Sequence, residues 1–252
     1  MRARKRHEVL RAAVSELREA GVASPEHDAA ELLALVHSTS RARLFEIEVV
    51  EVAAARRFEE LVTRRAAREP LQHLTGTASF RHTELQVGPG VFVPRPETEL
   101  LAGWAIEACS GLASPVVVDL CTGSGAIARA IAQEVPEARV HAVELDEGAH
   151  VWAQRNLTGT GVDLRLGDMA DAFEELCGTV DVVVCNPPYI PLEAWESVAI
   201  EARDHDPHLA LFSGDDGLEA MRVLERRAAH LLRPGGLVGA EHADAQGEAA
   251  PQ

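Results

Sequence analysis

The feature that most constrains the fold is a short apolar run that leads into a glycine-rich turn. Residues 116–118 are three consecutive valines, which is typical of a strand buried on both faces of a parallel sheet. The run continues into residues 119–128, where Gly123 and Gly125 permit a tight turn. A helical pattern follows at 127–133. A strand, a glycine turn and a helix in this order predict the first unit of a doubly wound α/β fold.

Strand-like and helix-like segments alternate from about residue 94 onward. The apolar pattern predicts further strands at 139–143, 164–166, 181–184 and 237–240, and further helices at 147–157 and 218–232. Such alternation predicts an open parallel sheet with helices on both faces. In sheets of this kind ligands bind beyond the carboxyl ends of the strands, so functional residues are expected there.

The first 69 residues follow a helical pattern instead. Gly21 stands where a glycine would end one helix, and Ser24 with Pro25 is typical of the start of the next. A third helix is predicted at about 52–67. We therefore expect three regions, which are a small helical bundle for packing or substrate recognition over 1–69, a β-hairpin-like linker over 70–93, and the main domain over 94–252.

Charge is distributed unevenly along the chain. Residues 1–75 carry 13 Lys and Arg against 12 Asp and Glu, whereas residues 76–252 carry 11 against 28. Because residues 76–252 are strongly acidic, we do not expect direct DNA binding, since nucleic-acid affinity rests on basic side chains that neutralise phosphates. No apolar run approaches the roughly 20 residues that span a bilayer, and the four cysteines lack metal-ligand spacing. We expect a cytoplasmic protein without a membrane partner or a bound metal.

Residues that follow the predicted strands are suited to a nucleoside cofactor. Glu144 ends the second strand, about 20 residues after Gly125, where a carboxylate can accept both hydroxyls of a ribose. The glycine pattern suits NAD as well as S-adenosylmethionine (SAM), and in some proteins it is only structural. Asp119 favours SAM, because a carboxylate at the head of the loop suits a cationic amino acid end better than a pyrophosphate.

Asp168 and Met169 follow the third strand. The carboxylate of Asp168 can accept a hydrogen bond from an adenine amino group, and Met169 can pack on the ring. An equally good interpretation makes Asp168 the N-cap of a helix.

The most specific motif is Asn186-Pro187-Pro188-Tyr189, directly after the fourth strand. Consecutive prolines forbid ladder hydrogen bonds and fix the backbone, so they stiffen this loop. The Asn186 side-chain oxygen and the Pro187 carbonyl can then orient a planar NH₂ group, and Tyr189 can stack on its flat face. Orientation carries much of the catalysis here, because the lone pair of an amide nitrogen is delocalised. The motif therefore predicts SAM-dependent methylation of an amide or amine nitrogen.

Taken together, these segments resemble the HemK/PrmC family of protein-(glutamine-N5) methyltransferases. The resemblance covers about residues 69–247 and rests on the segments 69–76, 91–99, 119–128, 186–190, 201–211 and 214–217. It implies a Rossmann-like SAM-dependent methyltransferase domain preceded by a small helical recognition domain. It also implies a substrate, which is the glutamine in the Gly-Gly-Gln loop of class I peptide release factors.

The motifs and the resemblance together assign roles to individual residues. The expected cofactor contacts are Asp119, Cys121, Thr122, Gly123, Ser124, Gly125, Glu144, Asp168, Met169 and Asn186. Asn186, Pro187 and Tyr189 are the expected catalytic residues, Pro188 joins them in binding the substrate, and residues 95–98 are expected near the methionine end of the cofactor. Glu144 stands where the family commonly has aspartate, and Met169 where an aromatic residue is frequent.

The resemblance implies further elements after residue 248, namely a helix and a closing pair of antiparallel strands, whereas the sequence ends at Gln252. We therefore expect an exposed sheet edge and reduced stability. Three other functions share parts of the motif pattern. They are methylation of a ribosomal-protein glutamine, methylation of adenine N6 in DNA with the base flipped onto Tyr189, and SAM binding without turnover.

Overall fold

The computed structural model describes residues 3–247. In chain order its helices and strands are β1 (Arg4–Lys5), α1 (Arg6–Glu19), α2 (Pro25–Val36), β2 (Val49–Val50), α3 (Val52–Ala66), α4 (Leu71–Thr75), β3 (Thr77–Phe80), β4 (Thr83–Gln86), α5 (Thr98–Ala108), β5 (Val116–Leu120), α6 (Ala126–Glu134), β6 (Arg139–Glu144), α7 (Glu147–Leu157), β7 (Asp163–Leu166), β8 (Val180–Cys185), α8 (Ile200–His205), α9 (Glu219–Leu231) and β9 (Leu232–Ala240). These elements form two compact units. Among the described residues, the first holds 3–76 together with α8, and the second holds Thr77–Ala199 and 206–247.

The first unit is a small helical bundle, as predicted. α1, α2 and α3 bury their apolar faces against one another, and Leu17, Leu32, Leu33 and Phe58 are almost fully buried between them. α1 ends before Gly21, whose φ of +74° is the left-handed conformation expected of a terminating glycine. α8 joins this unit because Glu201 accepts hydrogen bonds from Arg68 at 2.6 Å and Arg65 at 3.1 Å.

The second unit is built on a five-stranded parallel sheet with the order β7-β6-β5-β8-β9. β5 lies at the centre, with β6 on one side and β8 on the other, so the order reverses at β5. That reversal opens a crevice at the carboxyl ends of the central strands, where α/β sheets bind their ligands. The predicted doubly wound α/β fold is confirmed.

Both faces of the sheet are covered, which explains the unbroken apolar strands. Val117 packs with α5, α6 and α7 on one face, while Val116 and Val118 pack with α9 on the other. At one edge, β9 pairs only with β8 within residues 3–247, and Leu237 and Val238 are each 48% exposed.

Some elements differ from the sequence prediction. Residues 70–93 contain the expected hairpin of β3 and β4, but a short helix, α4, precedes it. β9 begins at Leu232 rather than near residue 237, because Leu232 already pairs with Val180. The Pro-Gly-Gly run at 234–236 is accommodated as an irregularity within this strand pair.

Candidate active site

A cavity of about 350 Å³ lies at the carboxyl ends of β5, β6 and β8. Nine of the residues predicted for the site line it: Cys121, Thr122, Gly123, Ser124, Glu144, Asp168, Met169, Asn186 and Pro188. The structure thus brings together residues that are up to 67 positions apart in the sequence. Asp119, Gly125, Pro187 and Tyr189, to which the sequence also assigned roles, are not among the residues that line it.

Glu144 joins two of the loops that line the cavity. One of its carboxylate oxygens, Oε2, accepts from the Gly123 N–H at 2.7 Å, and the other, Oε1, accepts from the Asp146 N–H at 2.9 Å. Burial raises the pKa of this carboxyl group, and the two backbone hydrogen bonds oppose that rise. Each oxygen keeps a second lone pair, so Glu144 can still accept hydrogen bonds from a pair of ribose hydroxyls.

Asp119 lies beneath the glycine loop and is fully buried. Its Oδ2 accepts from the Thr122 hydroxyl at 2.6 Å and from the Ala128 N–H at 3.2 Å, which ties the start of the loop to α6. Its Oδ1 has no hydrogen-bond partner among residues 3–247. Burial raises the pKa of Asp119 to about 7. Asp119 therefore stabilises the glycine loop from beneath, and its second carboxylate oxygen is buried and available to accept a hydrogen bond.

We expect Asp119→Asn to change how stability depends on pH. An aspartate whose pKa is raised to about 7 on folding, from about 3.9 when unfolded, costs stability as the pH rises between these values. Asparagine resembles the protonated acid and removes that cost. Thermal melting without cofactor from pH 5 to pH 8 should show a growing stability advantage for Asp119→Asn. Parallel melting profiles would show that the carboxyl group titrates normally.

The two glycines of the loop have different surroundings. Gly125 (φ +83°) precedes α6, and a Cβ added there would lie 2.9 Å from Leu157 Cγ in α7. Gly123 (φ +59°) lines the cavity, and an added Cβ would meet open space. Gly125 therefore permits close helix packing, whereas Gly123 leaves room at the ligand side.

The two alanine variants should accordingly fail in different ways. Gly125→Ala should lower the melting temperature, because both the backbone conformation and the contact with Leu157 become unfavourable. Gly123→Ala should mainly raise the Kd for SAM. Gly178→Ala is the matched control, since Gly178 has φ +66°, open space around it and a place away from the cavity. Equal melting temperatures for the Gly125 and Gly178 variants would contradict the packing role.

Asp168 and Met169 form another part of the cavity wall. Asp168 Oδ1 accepts from the Ala170 N–H at 2.8 Å, so this carboxylate caps its own turn while facing the cavity. Met169 Sδ lies 3.7 Å from Cys121 Sγ. Both interpretations of Asp168 are therefore compatible with its position.

The Asn186–Tyr189 loop starts directly after β8 and is held by a chain of side-chain hydrogen bonds. Asn186 Nδ2 donates to Thr98 Oγ1 at 3.2 Å, and Thr98 donates to Glu241 Oε2 at 2.8 Å. Tyr189 donates its hydroxyl to Glu241 Oε1 at 3.2 Å. Burial and the nearby Glu241 raise the pKa of Tyr189 to about 12, so the phenol stays neutral and can donate.

The sequence analysis did not identify Glu241 and Gln246, two residues that hydrogen-bond to this loop and do not line the cavity. Besides Glu241, Gln246 donates from Nε2 to the Tyr189 carbonyl at 3.0 Å and to the Asp216 carbonyl at 3.3 Å. Glu241 immediately follows β9, and a polar residue at the carboxyl end of a parallel strand is the signal that could have identified it. Gln246 carries no comparable sequence signal.

The segment before α5 is only partly at the cavity. Thr98 lines it, together with Phe92 and Pro94. Arg95 instead pairs with the buried carboxylate of Asp206 and lies over the Phe92 ring, 4.9 Å from its centroid. Of residues 95–98, Thr98 is thus the one that can reach a ligand in the cavity.

Among residues 3–247, no helix is both long and apolar enough to cross a membrane. The PrmC N-terminal domain family matches residues 8–76, and the Methyltransferase small domain family matches residues 96–203. These two ranges correspond to the helical bundle and to the part of the second unit that carries the glycine loop and the Asn186–Tyr189 loop.

Three similar proteins identify the family more specifically than these two domain families do. A release factor glutamine methyltransferase of Streptomyces coelicolor is 60% identical, over 95% of this chain and 85% of that protein. The enzyme of the same name from Mycolicibacterium smegmatis is 47% identical, over 93% and 83%. A 4-amino-L-phenylalanine/4-methylamino-L-phenylalanine methyltransferase of Streptomyces pristinaespiralis is 47% identical, over 75% and 66%. On this evidence the chain belongs to the family of release factor glutamine methyltransferases.

Proposed function

We propose that this enzyme methylates N5 of the glutamine in the Gly-Gly-Gln motif of class I peptide release factors. The observation that carries the proposal is the position of Asn186, which faces the same cavity as Glu144 and the glycine loop at the carboxyl ends of the central strands. The 60% identity to a release factor glutamine methyltransferase supports the same substrate. The N-terminal helical bundle is the candidate for recognition of the release factor, and the cytoplasm is where such a substrate acts.

The methyl donor is SAM, which supplies an electrophilic methyl group on a sulfonium. The cavity residues are suited to its parts. Glu144 can accept from the ribose hydroxyls, while Asp168 and Met169 can contact the adenine. The backbone of residues 121–124 can approach the methionine end closely, because an added Cβ at Gly123 would meet open space. Asp119 supports this loop from behind and has one buried oxygen to spare.

Asn186 and Pro187 orient the acceptor in this proposal. The Asn186 side-chain oxygen and the Pro187 carbonyl accept from the two N–H groups of the substrate amide, so that its nitrogen lone pair faces the methyl group. Fixed acceptors also stabilise the positive character that grows on nitrogen during transfer. The amide proton becomes acidic as the new N–C bond forms, so water suffices to remove it. Tyr189 completes the substrate platform, with its hydroxyl anchored on Glu241.

An aromatic amine is the second candidate substrate. It is favoured by the relative named for 4-amino-L-phenylalanine, because an aromatic NH₂ group is planar, like an amide. That relative matches 75% of the chain at 47% identity, whereas the release factor enzyme matches 95% at 60%. The release factor is therefore the preferred substrate of the two.

One labelling experiment separates these substrates. The protein is incubated with methyl-labelled SAM and, in separate reactions, a class I release factor, its Gln→Ala loop variant, a ribosomal protein, duplex DNA and 4-amino-L-phenylalanine. We expect label in the release factor alone. Equal label in the Gln→Ala variant, or label confined to another substrate, would overturn the proposal.

A further inference from the structure

We propose that Glu241 is a positioning residue that sets which end of the Asn186 side-chain amide faces the methyl acceptor. Glu241 itself is separated from Asn186 by the hydroxyl of Thr98. The inference rests on the proposed function, in which the Asn186 oxygen accepts from the substrate NH₂ group. It extends that function to a residue beyond the Asn186–Tyr189 loop.

The direction of the hydrogen bonds follows from what each group can donate. An ionised carboxylate only accepts, so the single hydroxyl proton of Thr98 is directed at Glu241 Oε2, 2.8 Å away. The Thr98 oxygen then has only lone pairs left for Asn186. Asn186 must therefore present its NH₂ group to Thr98, at 3.2 Å, and its oxygen is left for the cavity.

This direction matters because the two ends of an asparagine amide have nearly the same shape. Without Glu241, the Thr98 hydroxyl could turn and donate to the Asn186 oxygen. The NH₂ group of Asn186 would then face the cavity and oppose the NH₂ group of the substrate, donor against donor. The carboxylate of Glu241 makes the productive orientation the only one with every donor and acceptor satisfied.

Glu241 is well placed to act in this way. Its backbone N–H donates to the Cys185 carbonyl at 3.1 Å, so its main chain is attached to the residue just before Asn186. Its other carboxylate oxygen receives the Tyr189 hydroxyl at 3.2 Å. The carboxylate thus contacts both ends of the Asn186–Tyr189 loop, one through Thr98 and the other directly.

The test uses a pair of substitutions at Thr98. Thr98→Val keeps the shape but removes the hydroxyl, and Thr98→Ser keeps the hydroxyl. We expect Thr98→Val and Glu241→Ala each to lower kcat by about 10²-fold, because a misoriented acceptor group costs about that much. Thr98→Ser should retain much more activity than Thr98→Val, and SAM Kd should change little in Glu241→Ala, because Glu241 does not line the cavity.

Three outcomes would overturn the inference. The first is a wild-type kcat in Thr98→Val, and the second is a loss of kcat in Thr98→Ser equal to that in Thr98→Val. The third is additive losses in the Thr98→Val/Glu241→Ala double variant, because substitutions within one chain of hydrogen bonds should have non-additive effects. Tyr189→Phe removes only the other contact of Glu241. If it reproduced the loss of Glu241→Ala while Thr98→Val did not, Glu241 would act through Tyr189 instead.

The experiment also separates this inference from the proposed function. Label transfer to the release factor by the wild-type protein tests the function alone. If the wild-type protein labels the release factor and Thr98→Val does so at the same rate, only the role of Glu241 fails. If Glu241→Ala does not fold, wild-type kcat in Thr98→Val still overturns the inference, because the hydrogen bonds from Glu241 to Asn186 pass through the Thr98 hydroxyl.

Discussion

Asn186→Ala is expected to lose methyl transfer by about 10²- to 10³-fold while binding SAM nearly as well as the wild-type protein. The substitution removes the acceptor that orients the substrate nitrogen, and it leaves Glu144 and the glycine loop in place. Single-turnover labelling of the release factor measures the first quantity, and calorimetric titration with SAM measures the second.

Asn156→Ala provides a matched control, because it makes the same chemical change at a structural position. The Asn156 side chain accepts from the Gln86 N–H at 2.8 Å and donates to the Gln86 and Ser124 carbonyls, both at 2.9 Å. Its loss leaves buried backbone groups unsatisfied, so the melting temperature should fall more than in Asn186→Ala. Unchanged turnover in Asn186→Ala would refute the catalytic role of Asn186.

Glu144→Ala should instead weaken cofactor binding, with SAM Kd raised by at least about 10²-fold, and should leave turnover at saturating SAM nearly unchanged. Each hydrogen bond to a charged group contributes about 1.5–3 kcal/mol. The variant loses the acceptor for the Gly123 and Asp146 N–H groups together with the acceptors for the ribose. Calorimetric titration with SAM measures the loss, and turnover should recover when SAM is raised far above the new Kd.

Glu144→Asp is the control for this second prediction. It keeps the carboxylate with a shorter reach, so its SAM Kd should lie between those of the wild-type protein and Glu144→Ala. If Glu144→Ala bound SAM normally, the ribose would have to be held elsewhere in the cavity.

Local signals explain which elements the sequence could predict. Helix α7 begins at Glu147 and ends at Leu157, as predicted, and Asp146 caps it by accepting from the Ala149 N–H at 2.8 Å. Helix α5 was not anticipated, because its apolar residues run almost continuously and leave no clear amphipathic stripe. The early start of β9 could not be predicted either, since it depends on pairing with β8 and the proline–glycine run argued against a strand.

The sequence predicted which residues at the strand ends lie at the site better than it predicted the role of each of them. Glu144 and Asn186 face one cavity because parallel strands bring their carboxyl ends together. Gly125 was expected at the ligand, yet its neighbour is Leu157, a contact set by how α6 and α7 pack. The part played by Glu241 depends on the direction of hydrogen bonds between groups distant in sequence, and no local pattern encodes that direction.

The segment after β9 is synthesised later than the Asn186–Tyr189 loop that it stabilises, which affects the order in which the site forms. Tyr189 receives its hydroxyl partner from Glu241 and its carbonyl partner from Gln246, which are 52 and 57 residues later. At a translation rate of about 5–20 residues per second, several seconds separate the emergence of the loop from that of its partners. A nascent chain can therefore form the cofactor loop well before its methyl-transfer loop is ordered. Competence for methyl transfer therefore requires synthesis at least as far as Gln246, whereas the loop that binds the cofactor is complete more than 100 residues earlier.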